Sequence, residues 1–239
     1  SLAGGAVGDA LGYAVEFWGE EQIFGKYGER GITEYELDSF TGKALISDDT
    51  QMTLFTANGL LVGDTRGAMR GIQGWPRHYV TQAYQDWLYT QEYPFDKQKI
   101  QDRRGNYSCR SWLADVPELY SSRAPGNTCL SALSAQKNGK GFVNDYVKEP
   151  QNQSKGCGGI MRVAPVALNY KHMEMGTLDM EGAQIAAITH GHSLGYMPAA
   201  IVTHIINRIV FSEEKKTLKN IVIEARYRRF TQRRQHFSN

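Results

Sequence analysis

Ala3, Ala6, Ala10 and Ala14 recur at three- and four-residue intervals through the apolar stretch 2–17. In an α-helix that spacing gathers small side chains on one stripe, where a second helix can approach closely. Helical periodicity returns at residues 50–62, 79–89, 127–136, 160–168, 180–189, 197–211 and 218–230. Gly, Pro and Asn punctuation separates these segments at 71–76, 123–127 and 155–159. Period-two alternation is scarce, and only residues 31–37 predict a short strand. Residues 95–110 are polar and predict a surface loop. With no internal repeat and no long linker, the pattern predicts a single all-α domain over 1–239, a compact helical bundle with functional loops at helix ends.

Composition narrows the function classes. Hydrophobic residues make up 41% and charged residues 22%, the balance of an ordinary globular chain. No segment reads as a membrane span, and Asp9 interrupts the apolar N-terminal stretch, so no membrane partner is expected. Cys109, Cys129 and Cys157 are odd in number and widely spaced, which predicts a reducing compartment, the cytoplasm. Residues 213–239 carry eight Lys or Arg against three Glu. No aromatic-interleaved basic patch or base-reading motif accompanies that charge, so it reads as a solvated helix face and nucleic acid is not an expected partner.

Four segments carry the chemistry. Ser47-Asp48-Asp49-Thr50-Gln51 heads an apolar helix. Asp48 with Gln51 fits a capping box, and acids are favoured at a helix start. Capping uses one acid, however, and two adjacent carboxylates repel unless a cation offsets them. A hydroxyl and two carboxylates are hard oxygen donors suited to Mg²⁺ or Mn²⁺. Asp9, Gly12 and Glu16 share one face of the first helix, so the acids either bond nearby backbone or border a polar cavity, with Gly12 leaving room for a ligand. Lys155-Gly156-Cys157-Gly158-Gly159 leads into an apolar segment, and converging backbone N–H groups at a helix start suit a phosphate, although most such turns only redirect the chain. Thr189-His190-Gly191-His192 opens another helix. No third ligand follows at zinc spacing, so these histidines read as hydrogen-bonding or packing residues, and His204 as packing in its helix.

Taken together, Gly8-Asp9-Ala10-Leu11-Gly12 with Glu16, Ser47-Asp48-Asp49-Thr50-Gln51-Met52, Arg123-Ala124-Pro125-Gly126-Asn127-Thr128, Gly156-Cys157-Gly158-Gly159-Ile160-Met161-Arg162 and Thr189-His190-Gly191-His192 resemble the ADP-ribosylglycohydrolase family across about residues 4–225. The resemblance implies an orthogonal all-α bundle that hydrolyses the bond joining ADP-ribose to a protein side chain or other acceptor. It implies Glu16 and Asp49 as catalytic residues, and Ser47, Asp48 and Asp49 as ligands to Mg²⁺ or Mn²⁺. Gly156, Cys157, Gly158 and Gly159 would contact the diphosphate, with Asn127 and Thr128 near the ligand. Trp75, Tyr84 and Trp87 are available to stack on adenine or line the acceptor cleft, Trp87 also fitting the core.

The family's second metal-binding group, a glycine-rich D-x-D segment followed by a hydroxyl residue, has no counterpart in this sequence. The expectation is therefore a C-terminally truncated bundle with a divergent basic stretch at 226–239 and weak or partial metal binding. An apolar surface left bare would be covered by a homodimer. The alternative is a non-catalytic relative that binds ADP-ribose or serves structurally, as the family's lens-crystallin relatives do.

Overall fold

The computed structural model describes residues 2–72, 74–138, 143–214 and 216–225. Helices α1 (Leu2–Gly12), α2 (Glu20–Tyr27), α3 (Asp48–Arg70), α4 (Pro76–Glu92), α5 (Lys97–Gly105), α6 (Asn127–Lys137), α7 (Ala164–Asn169), α8 (Met175–Ala187) and α9 (Ser193–Phe211) follow in order, and residues 218–225 are also helical. No strand occurs among the described residues, and the protein is all-α.

The long pair α3 and α4 forms the frame. Gly59 permits their approach, because a Cβ there would lie 2.8 Å from Val80 Cα and 2.9 Å from the Tyr79 carbonyl. Met52 and Phe55 from α3 and Tyr84 and Trp87 from α4 are fully buried with Leu133, Leu178 and Ile185. Each such side chain contributes about 1.5–3 kcal/mol by leaving water. Their polar atoms are satisfied inside: Tyr84 shares a 2.6 Å hydrogen bond with Thr56 Oγ1, and Trp87 Nε1 donates to Gln51 Oε1 at 3.0 Å. Neither ring is open to a ligand. Trp75 is exposed and lies under the Arg77 guanidinium, 4.4 Å from its ring centre, away from the acidic cavity described below.

The second pair, α8 and α9, packs against the first, with α7 between α9 and α3. By length and composition α9 is apolar enough to cross a membrane, which the sequence reading did not anticipate. Two of its polar side chains are partnered within the protein: His204 Nδ1 meets Asp179, and Asn207 Nδ2 donates to the Ala167 carbonyl. These contacts tie α9 to α7 and α8, with 33% of its apolar window buried, and one apolar helix is weak grounds for a span.

Other expectations change in detail. Residues 31–37 form no strand; Glu36 pairs instead with Tyr27 and Lys26 of α2, and no neighbouring strand is there to complete a ladder. Residues 95–110 are not a plain loop. Asp96 caps α5 by accepting from the Gln98 and Lys99 amides, and Ile100 anchors the helix in a small second cluster with Cys109 and Ala114. The first helix stops at Gly12, and residues 13–15 tighten into a 3₁₀ turn. The segment 160–168 splits at Val163 into a 3₁₀ turn (Ile160–Arg162) and α7, where Pro165 suits a first helical turn but not a helix interior. The expected helix at 218–230 is seen through 225, and the basic stretch 226–239 lies outside the described residues.

Candidate active site

The site begins with the cap of α3. Ser47 is its N-cap, and its Oγ accepts from the Asp49 amide at 3.1 Å. The capping box expected between Asp48 and Gln51 does not form. Gln51 turns into the core, where its amide donates to the Ser121 carbonyl and its oxygen accepts from Trp87 and Gln91. Two backbone N–H groups of this helix start are met from α1. Asp9 Oδ2 accepts from the Ser47 amide at 2.9 Å, the Thr50 amide at 3.2 Å and the Thr50 hydroxyl. A carboxylate from one helix thus caps another, which fixes the acidic turn relative to α1.

Asp48 is 6% exposed and faces the other way. Its amide donates to the Arg123 carbonyl at 2.9 Å, and its Oδ2 accepts from the Gly126 amide at 3.3 Å. Between these contacts Ala124 adopts a left-handed backbone, φ 53°, which bends the loop around the carboxylate. Burial, together with the neighbouring Asp49, Glu16 and Asp9 charges, outweighs the Gly126 hydrogen bond and pushes the Asp48 carboxyl up to about 6. Partial enclosure and the same crowding raise Asp49, with Asp9 and Glu16 as its charged neighbours. Glu16 is raised by desolvation and then by Asp9.

A cavity of about 850 Å³ takes in Asp9, Glu16 and Asp49, while Asp48 lies behind its wall. Asp9, Gly12, Tyr13 and Glu16 line one wall, and Ser47, Asp49, Thr50 and Thr53 line the other. Its volume falls in the range of small-molecule sites. A Cβ built at Gly8 or Gly12 would meet nothing within 4 Å, so this side of α1 is open to a ligand. The end of α1 as a 3₁₀ turn does not remove Glu16 from the cavity.

The glycine-rich loop lies elsewhere. Residues 156–159 do not line this cavity, and they lead into a three-residue 3₁₀ turn, so the expected partial charge of a helix start is not available there. The Gly156 amide already donates to Ser154 Oγ at 3.3 Å. The glycines are needed for packing on His190: a Cβ at Gly158 would lie 3.0 Å from His190 Cε1, and one at Gly156 3.2 Å from Nε2. Burial and the nearby Arg162 charge lower His190 to about 4, so the ring is neutral at physiological pH. His192 caps α9, its Nδ1 accepting from the Leu194 amide. Thr128 Oγ1 sits 3.5 Å from Ser154 Oγ, while Asn127 is exposed at the start of α6. The contacts Asp48–Gly126 and Thr128–Ser154 therefore link the acidic turn to the glycine loop across the N-terminus of α6.

Arg162, fully buried, was not singled out from sequence. Its Nη2 donates to Thr189 Oγ1 at 2.6 Å and to the Ile185 and Ala186 carbonyls, and its guanidinium lies 4.6 Å from the Tyr84 ring centre. Thr189 Oγ1 in turn pairs with His190 Nδ1 at 2.8 Å. This chain of contacts holds the imidazole beneath the loop. The sequence signals of Arg162 were its place at the end of the segment 156–162 that resembles the family and its basic character beside apolar neighbours.

Among the described residues, no group of three or more His, Cys, Asp or Glu side chains converges as a metal site. The donors nevertheless suit a hard cation in kind: adjacent carboxylates with raised protonation, beside hydroxyls. Mg²⁺ commonly uses one or two carboxylates and keeps several waters. Asp49 fits that demand at the cleft surface, and Asp48 beside it is turned to the Gly126 amide.

Fold and site define an all-helical protein whose carboxylate-lined cleft opens at the start of a long helix. A family model described as ADP-ribosylglycohydrolase matches residues 1–237, and the chain belongs to that family. No curated protein and no solved structure matched it.

Proposed function

We propose that this chain hydrolyses the glycosidic bond between ADP-ribose and a protein side chain or other acceptor, in the cleft between α1 and the start of α3. The observation that carries the reading is that Asp9, Glu16 and Asp49 line one open cleft, with the buried Asp48 close enough to feel their charges. Family membership supports a glycohydrolase of the ADP-ribosyl type.

The reaction replaces the bond from the anomeric carbon to the acceptor by a bond to water, through an oxocarbenium-like state. Glu16 takes the proton from the attacking water and returns it to the departing acceptor, so the carboxylate is regenerated as the bond breaks. A raised carboxyl matches this role better than an ordinary one, because proton transfer is most efficient when the pKa approaches the working pH. Asp9 acts as a positioning residue: its three hydrogen bonds hold α1, and with it Glu16, against the acidic turn. Asp49, with Asp48 beside it, would hold Mg²⁺ or Mn²⁺, which would supply charge stabilisation at the ribose. The open face at Gly8 and Gly12 admits the sugar.

One observation favours a second reading, an ADP-ribose binder without turnover: no three potential metal-binding side chains converge among the described residues. Release of ADP-ribose from a panel of modified acceptors, with Mg²⁺, separates the two. Hydrolysis that falls by about 10²–10⁴-fold in Glu16→Gln, with the fold intact, supports catalysis. Full hydrolysis by Glu16→Gln would sink the assignment, and binding with no turnover by the wild-type chain would leave the second reading.

A further inference from the structure

The opposite face of α3 borders a second cavity, about 310 Å³, between α3 and α4. Asp49, Thr50 and Thr53 face the acidic cleft, whereas Asn58, Gly59, Val62 and Arg66 face this one, about half a helical turn around. Its walls are largely apolar: Gly59, Val62, Ile72, Tyr79 and Ala83. Asn58 is 1% exposed, yet neither its Nδ2 nor its Oδ1 makes a hydrogen bond. Arg66 Nε is likewise buried without a hydrogen-bond partner. His78, Gln82, Ser111 and the exposed Arg110 add to the polar lining, and no carboxylate lines the cavity.

A buried carboxamide left unmatched on both atoms is rare and calls for a partner within its cavity. We propose that this cavity is a second ligand site, specific for a purine nucleoside monophosphate. An Asn carboxamide presents a donor and an acceptor side by side, the match for the N6–N7 edge of adenine. The apolar walls accept the faces of a planar base. Arg66 and Arg110 supply guanidinium groups for the phosphate, with geometry suited to two parallel hydrogen bonds. The occupant is therefore small, planar and anionic, and it needs none of the acidic residues of the cleft.

Titration of the 239-residue chain with AMP, followed by ¹⁵N–¹H NMR, tests the site directly. The expected result is movement of the Asn58 side-chain NH₂ signals and of the Gly59, Gly74 and Ala83 amides, persisting in Asp49→Asn. Asn58→Leu should abolish these shifts. Arg66→Ala with Arg110→Ala should weaken AMP at least about tenfold, in line with the loss of charged hydrogen bonds, and adenosine should bind about as weakly to the wild type. The double arginine variant keeps the core amide and guards against misfolding of Asn58→Leu. Shifts confined to the acidic cleft, no shifts, or a cavity that water alone fills would overturn the proposal.

Discussion

Replacing Asp48 by Asn should stabilise the metal-free protein at neutral pH. An ordinary aspartate carboxyl sits at 3.8, and burial with three neighbouring acids pushes Asp48 to about 6. The folded state therefore holds the proton more tightly than the unfolded chain. Below about pH 4 the group is protonated in both states and costs nothing; the cost grows as pH rises, and is complete above about pH 6. The gap corresponds to about 3 kcal/mol at neutral pH. A carboxylate at a helix start regains about 0.3–1 kcal/mol from the macrodipole, and Asn retains an acceptor for the Gly126 amide. Asp48→Asn should thus gain about 2 kcal/mol near neutral pH and nothing near pH 4. Urea denaturation of both proteins in EDTA, repeated across that range, measures the difference. Added Mg²⁺ should stabilise the wild type more than the variant and narrow the gap. A less stable Asn variant at neutral pH, or a difference independent of pH, would refute the electrostatic reasoning.

Arg162→Met removes the donors to Thr189 and to the Ile185 and Ala186 carbonyls, so it should lower stability by about 3 kcal/mol or more in denaturant melts. Gly158→Ala brings a methyl against His190 and should cost about 1–3 kcal/mol, read in the same melts and in altered His190 NMR signals. Ile100→Ala should cost about 2–5 kcal/mol and open residues 95–110 to limited proteolysis, because Ile100 anchors the small cluster under α5.

The helices were legible because apolar side chains recur at helical spacing, and Trp87 reads as core for the same reason. What periodicity conceals is any contact distant along the chain. Ser47-Asp48-Asp49 is conspicuous as a helix start, but the carboxylate that caps it, Asp9, comes from α1. A local rule paired Asp48 with Gln51, whereas the better-buried partner for Gln51 was the Trp87 indole on α4. Composition hid α5, since a single buried isoleucine outweighs its polar surroundings. The glycines at 156 and 158 suggest a ligand, yet the His190 ring beneath them already demands their lack of side chain. The unmatched Asn58 carried no sequence signal at all, because its meaning depends on the cavity wall opposite.

The central proposal is that the acidic turn, through Asp49, brings a divalent cation and ADP-ribose into the cleft beside Glu16. Calorimetric titration of ADP-ribose into the wild type and Asp49→Asn, each in Mg²⁺ and in EDTA, tests it most directly. The account predicts binding by the wild type in Mg²⁺, weakened at least about tenfold by either EDTA or the substitution, with no further loss when the two are combined. Equal affinity in all four titrations, or no binding in any, would contradict it.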